Sequence, residues 1–315
     1  MSAAQRPQSR SPYVAIERSD WSDLADTSSL PLTEEELRNI RGLGDLLDLQ
    51  EVSEVYLPVS ELLSIYVKQA QLLHGNTVEF FGERAARTPF IIAVAGSVAA
   101  GKSTVSRLLK ELMQRWDGIP SVELVTTDGF LYPNSELEKR GLMERKGFPE
   151  SYDRKRLLEF VADIKSGKSE IQVPVYSHLT YNIVEGEYIT VTKPDVLIVE
   201  GLNLLQPPAT GQEVALSDYF DFSIYIDADQ ENLEKWYLAR FSQLWSTAFT
   251  NPRSYFHDLT KDLTEEQAMD RARGFWRNIN LLNLRENIEP TRSRATLVMH
   301  KGDEHRVEKV LLRKI

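Results

Sequence analysis

The chain has 315 residues, 42% hydrophobic and 27% charged, with a formal net charge of -10. That is enough for a sizeable core in one large domain or two modest ones, and the composition is neither disordered nor fibrous. The acidic balance argues against nucleic-acid partners, and the absence of cysteine excludes disulfides, thiolate nucleophiles and cysteine zinc sites.

Residues 1–12 are rich in Ser, Pro, Arg and Gln and read as loose. They lack the apolar stretch of a signal peptide, and no apolar run reaches the roughly 20 residues of a membrane helix. The expectation is a cytoplasmic protein without membrane contact. In "LTEEELRNIRGLG", Thr33 and Glu36 make a capping-box pattern, with Gly42 or Gly44 as the stop. "LQEVSEVYLPVSELLSIYVKQAQLLHG" has helical apolar spacing, with Pro58 as a break or a new start. Residues 1–85 thus read as a helical extension packed on a core formed by residues 86–315.

The period then changes. "PFIIAVAG" is a buried strand, and from Ser103 a helical face follows through Val105, Leu108, Leu109, Leu112 and Trp116. "SVELVTTDGF" is a second strand and loop. "DRKRLLEFVADIKSGK" is a helix closed by Gly167. "PDVLIVEGLNLL" and "YFDFSIYIDA" are further strands, and "DQENLEKWYLARFSQLW" is a helix. "RATLVMHKGDEHRVEKVLLRKI" reads as two strands joined at "KGDE". Alternating strands and helices predict a three-layer α/β fold with a mostly parallel central sheet and added helices.

"GSVAAGKS" fits G-x-x-x-x-G-K-S at Gly96, Gly101, Lys102 and Ser103. Its glycines bring the backbone N–H groups of Ser97, Val98, Ala99 and Ala100 close to phosphate oxygens, and the helix start adds partial positive charge. Lys102 is placed to span phosphates, Ser103 to reach Mg2+, and Thr104 to support them. The motif specifies a nucleoside triphosphate without separating kinase from ATPase or GTPase.

Strand-end acids are the next candidates, because ligands of open parallel sheets sit at the carboxyl ends of strands. Asp128 follows "VELVTT" and Glu200 follows "VLIV". Phosphoryl transfer needs one carboxylate near Mg2+ and gains from another at the acceptor hydroxyl. The loop "GFLYPN" favours Asp128 for the acceptor and Glu200 for the metal, although the pattern also permits the reverse assignment or simple caps. Asp227, ending "FSIYID", reads as structural. "PVYSHLTYNIVEG" would place Tyr176 and His178 on one side of an extended segment, with Tyr181 nearby. Tyr237 and Arg240 share a helical face, with Arg240 a clamp for phosphoryl or carboxylate. Asn278, Asn280, Asn283 and Asn287 suggest buried amide hydrogen bonds. "LWSTAFTNPRSYFHDL" reads as a flap or interface patch.

Together "YLPVSELL", "IIAVAGSVAAGKSTVSRLL", "TTDGFLYPN", "RKGFPESYD", "PVYSHLTY", "PDVLIVEGLNLLQ", "NPRSYFH" and "NIEPTR" resemble bacterial type I pantothenate kinases, in order and over nearly the full chain. The resemblance implies a P-loop NTP-binding kinase fold and transfer of the ATP γ-phosphoryl to pantothenate with Mg2+, at the start of coenzyme A biosynthesis. It implies Asp128 as base, Lys102 and Ser103 at phosphate and metal, and Glu200 near the metal. Tyr176, His178, Tyr237, Arg240 and Asn280 would surround pantothenate or a competing ligand. It also implies a homodimer inhibited by coenzyme A and its thioesters, with Lys102, Arg107 and His178 at the inhibitor site. Leu244, Trp245 and Leu259 depart from the family pattern in the region around the inhibitor's thiol end or the flap. Rival readings are a uridine kinase or phosphoribulokinase-like enzyme and a nucleotide-binding regulatory protein.

Overall fold

The computed structural model describes residues 11–24, 32–42, 44–82, 88–119, 121–209, 211 and 213–314. The reading of residues 1–12 as loose falls almost wholly outside this set. The strands are β1 (Tyr13–Glu17), β2 (Phe90–Gly96), β3 (Val122–Thr126), β4 (Glu170–Ser177), β5 (Asn182–Thr192), β6 (Val196–Gly201), β7 (Phe222–Ala228), β8 (Leu297–Lys301) and β9 (Val307–Arg313).

Seven of them form one sheet in the order β1-β9-β8-β7-β2-β6-β3, parallel from β8 to β3 and antiparallel at β9 and β1. β2 is buried at every position, which is why its sequence is apolar throughout and does not alternate. It lies between β6 and β7, so its carboxyl end opens where connections leave the sheet in both directions. Flanking helices complete three layers, and one continuous apolar core runs from Trp21, Leu37 and Leu63 through Ile92 and Ile198 to Trp276.

The amino-terminal segment departs from the all-helical reading, because Tyr13–Glu17 is a strand on the sheet edge. Five residues offer too little period-2 signal to stand out beside long helices. Tyr13 fixes this strand: its hydroxyl donates to the Ala295 carbonyl at 2.7 Å, and the Arg313 guanidinium lies 5.0 Å from its ring centre. The capping box forms, with the Thr33 N–H donating to Glu36 Oε2 at 2.8 Å and the Glu36 N–H to Thr33 Oγ1 at 3.3 Å. That helix stops at Ile40, before either glycine. Pro58 opens the first turn of the helix Leu57–Phe81, after a π-helical turn over Val52–Tyr56. No helix among the described residues is long and apolar enough to cross a membrane.

β4 and β5 form a separate two-stranded sheet, a hairpin where the sequence suggested only an extended segment around Tyr176 and His178. β8 and β9 pair antiparallel across the predicted turn. Asp227 is held between Arg292 Nε and His300 Nδ1, each at 2.9 Å. Burial lifts its pKa, but His300 and Arg292 outweigh burial and hold it below the usual carboxylate range. This carboxylate ties β7 to β8 and the segment before it, in keeping with a structural role.

Candidate active site

β2 ends at Gly96, with φ 142°; a Cβ there would sit 2.5 Å from the Ile226 carbonyl, so no side chain fits against β7. The chain turns through Ser97–Gly101 into the helix Lys102–Met113, whose Val105, Leu108, Leu109 and Leu112 are buried. Lys102 is itself buried, and its ammonium donates to the loop's Ser97 carbonyl at 2.8 Å. Burial pushes its pKa below the ordinary lysine value, against an upward pull from Glu200 and Asp128; Arg240 adds to the depression.

Parallel register brings the acids to this turn. Glu200 is level with Val94 on one side and Thr126 on the other. Ser103 Oγ donates to Glu200 Oε1 at 3.1 Å, and burial raises the Glu200 pKa, opposed by Lys102. Asp128 is the second residue of the turn Thr127–Phe130 after β3, where its N–H donates to Thr126 Oγ1 at 3.3 Å. Gly129 follows because β4 passes close: a Cβ there would sit 2.4 Å from the Pro174 carbonyl. The Asp128 side chain is about a quarter exposed, at 26%, and His178 Nε2 lies 3.9 Å from its Oδ2.

Thr104 and Arg107 are both engaged by the amino-terminal segment. Thr104 Oγ1 donates to the Asp45 carboxylate, Arg107 Nη2 donates to Thr104 Oγ1 at 3.2 Å, and Arg107 Nε reaches the Ile40 carbonyl at 2.8 Å. The helix beneath the phosphate turn is therefore braced by residues far from it in sequence.

The residues expected on the acceptor side come from scattered segments. Tyr176 is the penultimate residue of β4, with its ring 5.2 Å from His178 and 6.4 Å from Tyr181. His178 lies in the turn after β4, not in the strand, and is largely exposed. Tyr237 stands on the helix Gln230–Trp245 and is hydrogen-bonded to Asn280; burial lifts its phenol to about 12. Asn280 ends a π-helical turn over Trp276–Asn280, whose wider register re-aims side chains relative to an α-helix. Arg240 is exposed one turn beyond Tyr237. Among the other amides, Asn283 is buried and donates to the Gly147 carbonyl at 2.9 Å, Asn287 donates to Asn283, and Asn278 is exposed. Leu244 and Trp245 pack on a small separate cluster of Phe241, Phe249, Ala268 and Ala272. Tyr255 and Phe256 of the same region meet the Tyr181 ring at 5.4 and 5.3 Å.

Two groups escaped the sequence reading. Lys146 is buried, with its ammonium 3.9 Å from the Tyr181 ring centre and 2.7 Å from Asn134 Oδ1. Burial lowers its pKa to about 8, against the pull of Asp128. Lys301 and His305 lie behind the phosphate turn, where His305 Nε2 is 3.2 Å from the Ala99 carbonyl and its Nδ1 is 3.2 Å from Lys301 Nζ. Lys146 opens "KGFPESYD" directly after Glu144 and Arg145, so in the sequence it reads as one more residue of a charged run. Lys301 and His305 flank the "KGDE" turn, and nothing local in that stretch points to a loop some 200 residues earlier.

A glycine-lined phosphate turn, its lysine and two strand-end acids on this sheet define a P-loop kinase fold. The phosphoribulokinase/uridine kinase family profile matches residues 91–242. D-glycerate 3-kinase from Cryptococcus neoformans is similar in fold, with TM-score 0.55 and 16% identity over 79% of this chain and 97% of its own. Pantothenate kinase from Clavibacter sepedonicus is 59% identical over 97% of this chain and 95% of its own. The Streptomyces coelicolor enzyme of the same name is 56% identical over 99% and 96%. The chain belongs to the pantothenate kinase family.

Proposed function

We propose that this enzyme transfers the γ-phosphoryl of ATP to the primary hydroxyl of pantothenate, giving 4'-phosphopantothenate, with the residues above in defined roles. The observation that carries this reading is the placing of Glu200 against Ser103 Oγ at 3.1 Å beside the buried Lys102, with Asp128 after the neighbouring strand β3, in a chain of the pantothenate kinase family. The turn amides and Lys102 hold the phosphates, so the ammonium exchanges the Ser97 carbonyl for phosphate oxygens. Asp128 orients the acceptor hydroxyl and takes its proton as the new P–O bond forms and the bond to ADP breaks. Arg240 neutralises charge on the transferred group. Tyr176, His178, Tyr237 and Asn280 position pantothenate.

Ser103 and Glu200 suit Mg2+. They present hard oxygen donors 3.1 Å apart beside the phosphate turn, and Mg2+ ordinarily takes few protein ligands and completes its octahedron with phosphate and water. When bound, the ion would neutralise phosphate charge.

Coenzyme A and its thioesters act as inhibitors in this reading, with Lys102, Arg107 and His178 at their site. The working form is a homodimer. Ile65, Leu72, Leu73 and Phe80 are 51%, 58%, 68% and 83% exposed along the helix Leu57–Phe81. Their spacing puts them on one stripe that a second copy would cover. Replacing Leu73 and Phe80 by lysine should shift the protein to monomer in light scattering.

The test of the reaction is mass detection of phosphorylated product from purified protein, Mg-ATP and a panel of pantothenate, uridine and ribulose 5-phosphate. Product from pantothenate alone, suppressed by coenzyme A, is expected. Product from uridine or ribulose 5-phosphate instead would overturn the acceptor assignment.

A further inference from the structure

Three segments of the molecule meet at one atom, the carbonyl oxygen of Gly147. Asn203, two residues past the end of β6, donates to it from Nδ2 at 2.8 Å, and Asn283 donates to it from Nδ2 at 2.9 Å. Asn283 ends the short helical turn Leu281–Asn283, which directly follows the π-helical turn that carries Asn280. A carbonyl oxygen has two lone pairs, so this one is fully used. The Asn283 amide has a fixed orientation, because its Oδ1 accepts from Asn287 Nδ2 at 2.9 Å while its Nδ2 serves the carbonyl. Gln206 donates in turn to the Asn287 carbonyl. A ladder of amides thus joins the segment after β6 to the helix of Asn280, with Gly147 at its centre.

The ladder fixes the backbone at Lys146. Gly147 stands at φ 97°, a conformation that glycine enters freely. The peptide before it is pinned by the Gly147 N–H, which donates to Ser151 Oγ at 2.9 Å. The peptide after it is pinned at both ends: its carbonyl takes the two amides, and its N–H, that of Phe148, donates to the Arg145 carbonyl at 3.0 Å. Peptide units are planar, so two pinned planes set the direction in which Lys146 leaves the loop. From there its ammonium reaches Asn134 Oδ1 at 2.7 Å and lies 3.9 Å from the Tyr181 ring centre. Asn283 is 4% exposed, and its Oδ1 and Nδ2 are both engaged inside the protein, so it acts on its neighbours and not on a substrate.

We propose that Asn283 is a positioning residue for phosphoryl transfer: through the Gly147 carbonyl it holds Lys146 in a fixed relation to Asn280. The cation drawn toward Asp128 and the amide bonded to Tyr237 then keep one separation, and the acceptor meets both without the loop rearranging. That role rests on the acceptor lying among Asp128, Tyr176 and Asn280, as proposed above.

The test is a double-mutant cycle in the full chain, read as kcat/KM for the acceptor with KM for ATP alongside. Asn283→Leu should cost about fivefold in kcat/KM, the effect of one lost buried hydrogen bond, with KM for ATP held within about twofold. Lys146→Met should cost about tenfold. Because Asn283 acts through Lys146, the double variant should also lose about tenfold, not the roughly fiftyfold of independent sites. Three results would each overturn the proposal: an Asn283→Leu loss that persists in the Lys146→Met background, an equal weakening of ATP and acceptor, or undiminished kcat/KM in Asn283→Leu. If Asn283→Leu does not fold, Asn287→Leu decides, since Asn287 is only half-buried and its loss frees the Asn283 amide to turn. A loss of about threefold is then expected, and only in chains that keep Lys146; the same loss beside Lys146→Met, or none in either chain, would overturn the role. The cycle is run with whichever acceptor the product panel returns, so a wrong acceptor and a wrong role for Asn283 show separately.

Discussion

The proposed nucleotide end and the proposed acceptor end of this molecule meet at Asp128 but are built differently. The nucleotide end is backbone: a buried strand, a turn shaped by Gly96, and a helix start, all set by sheet register. The acceptor end is side chain: Lys146, Tyr176, Tyr181, Tyr237 and Asn280 come from separate segments and touch through rings and single hydrogen bonds. A backbone cradle suits a ligand group shared by all nucleoside triphosphates, and a side-chain pocket suits the partner that must be told apart. The two ends should respond to mutation in different ways.

The sharpest break is at their meeting point. Asp128→Asn should keep nucleotide binding and lose about 10²- to 10⁴-fold in kcat, the range for a removed general base. Turnover within a few-fold of wild type would reject the base role. Next comes Lys102→Ala, which should weaken ATP about 30- to 100-fold, as expected for a lost charge-assisted contact to phosphate. Coenzyme A should weaken in parallel if it shares the cradle. Unchanged affinity for both, measured by titration, would reject the overlap.

On the acceptor side, Lys146→Met should reduce kcat with pantothenate about tenfold while ATP affinity holds. Its charge also sets a pH signature. With a folded pKa of about 8 against the ordinary 10.5, the unfolded chain keeps a proton the folded chain has released between those values. Unfolding then takes up a proton, so stability rises with pH across that window, by no more than about 3 kcal/mol. Lys146→Met should flatten this rise in denaturant titrations at pH 7.5 and 10. An unchanged slope would mean that Lys146 is not the group responsible. If activity depends on the charged form, kcat should fall as pH rises through about 8.

Legibility in the sequence followed the same divide. Strand β2, its turn and the helix from Lys102 were readable because each is a local pattern, and the acids Asp128 and Glu200 because strand ends converge in any parallel sheet. Asp128 depends on more than its strand, since Gly129 must also clear the β4 backbone at Pro174, which no local pattern reveals. The hairpin β4–β5 was hidden because His178 falls in its turn and breaks the alternation that Tyr176 begins. Lys146 was hidden because a buried lysine has no sequence period. Its burial is set by Tyr181 and Asn134, which are 35 and 12 residues away. The brace of Asp45 on Thr104 likewise spans 59 residues.

The smallest predicted effect tests the backbone character of the cradle itself. Ala99 lies at φ 64°, in the left-handed region, and it is the only non-glycine residue of the phosphate turn placed there. An L-residue is disfavoured in this region by about 1–2 kcal/mol, whereas glycine enters it freely but loses more freedom on folding. Ala99→Gly should therefore change stability by less than about 1 kcal/mol, with the sign on the stabilising side because relief of the strained φ exceeds the added entropy loss. Affinity for ATP should fall only slightly, because the Ala99 carbonyl still meets His305 Nε2 and keeps the turn in place. A clear loss of stability on glycine substitution would show that the Ala99 methyl is a packing contact. The cradle would then owe its shape partly to side chains, and the contrast between the two ends would be one of degree.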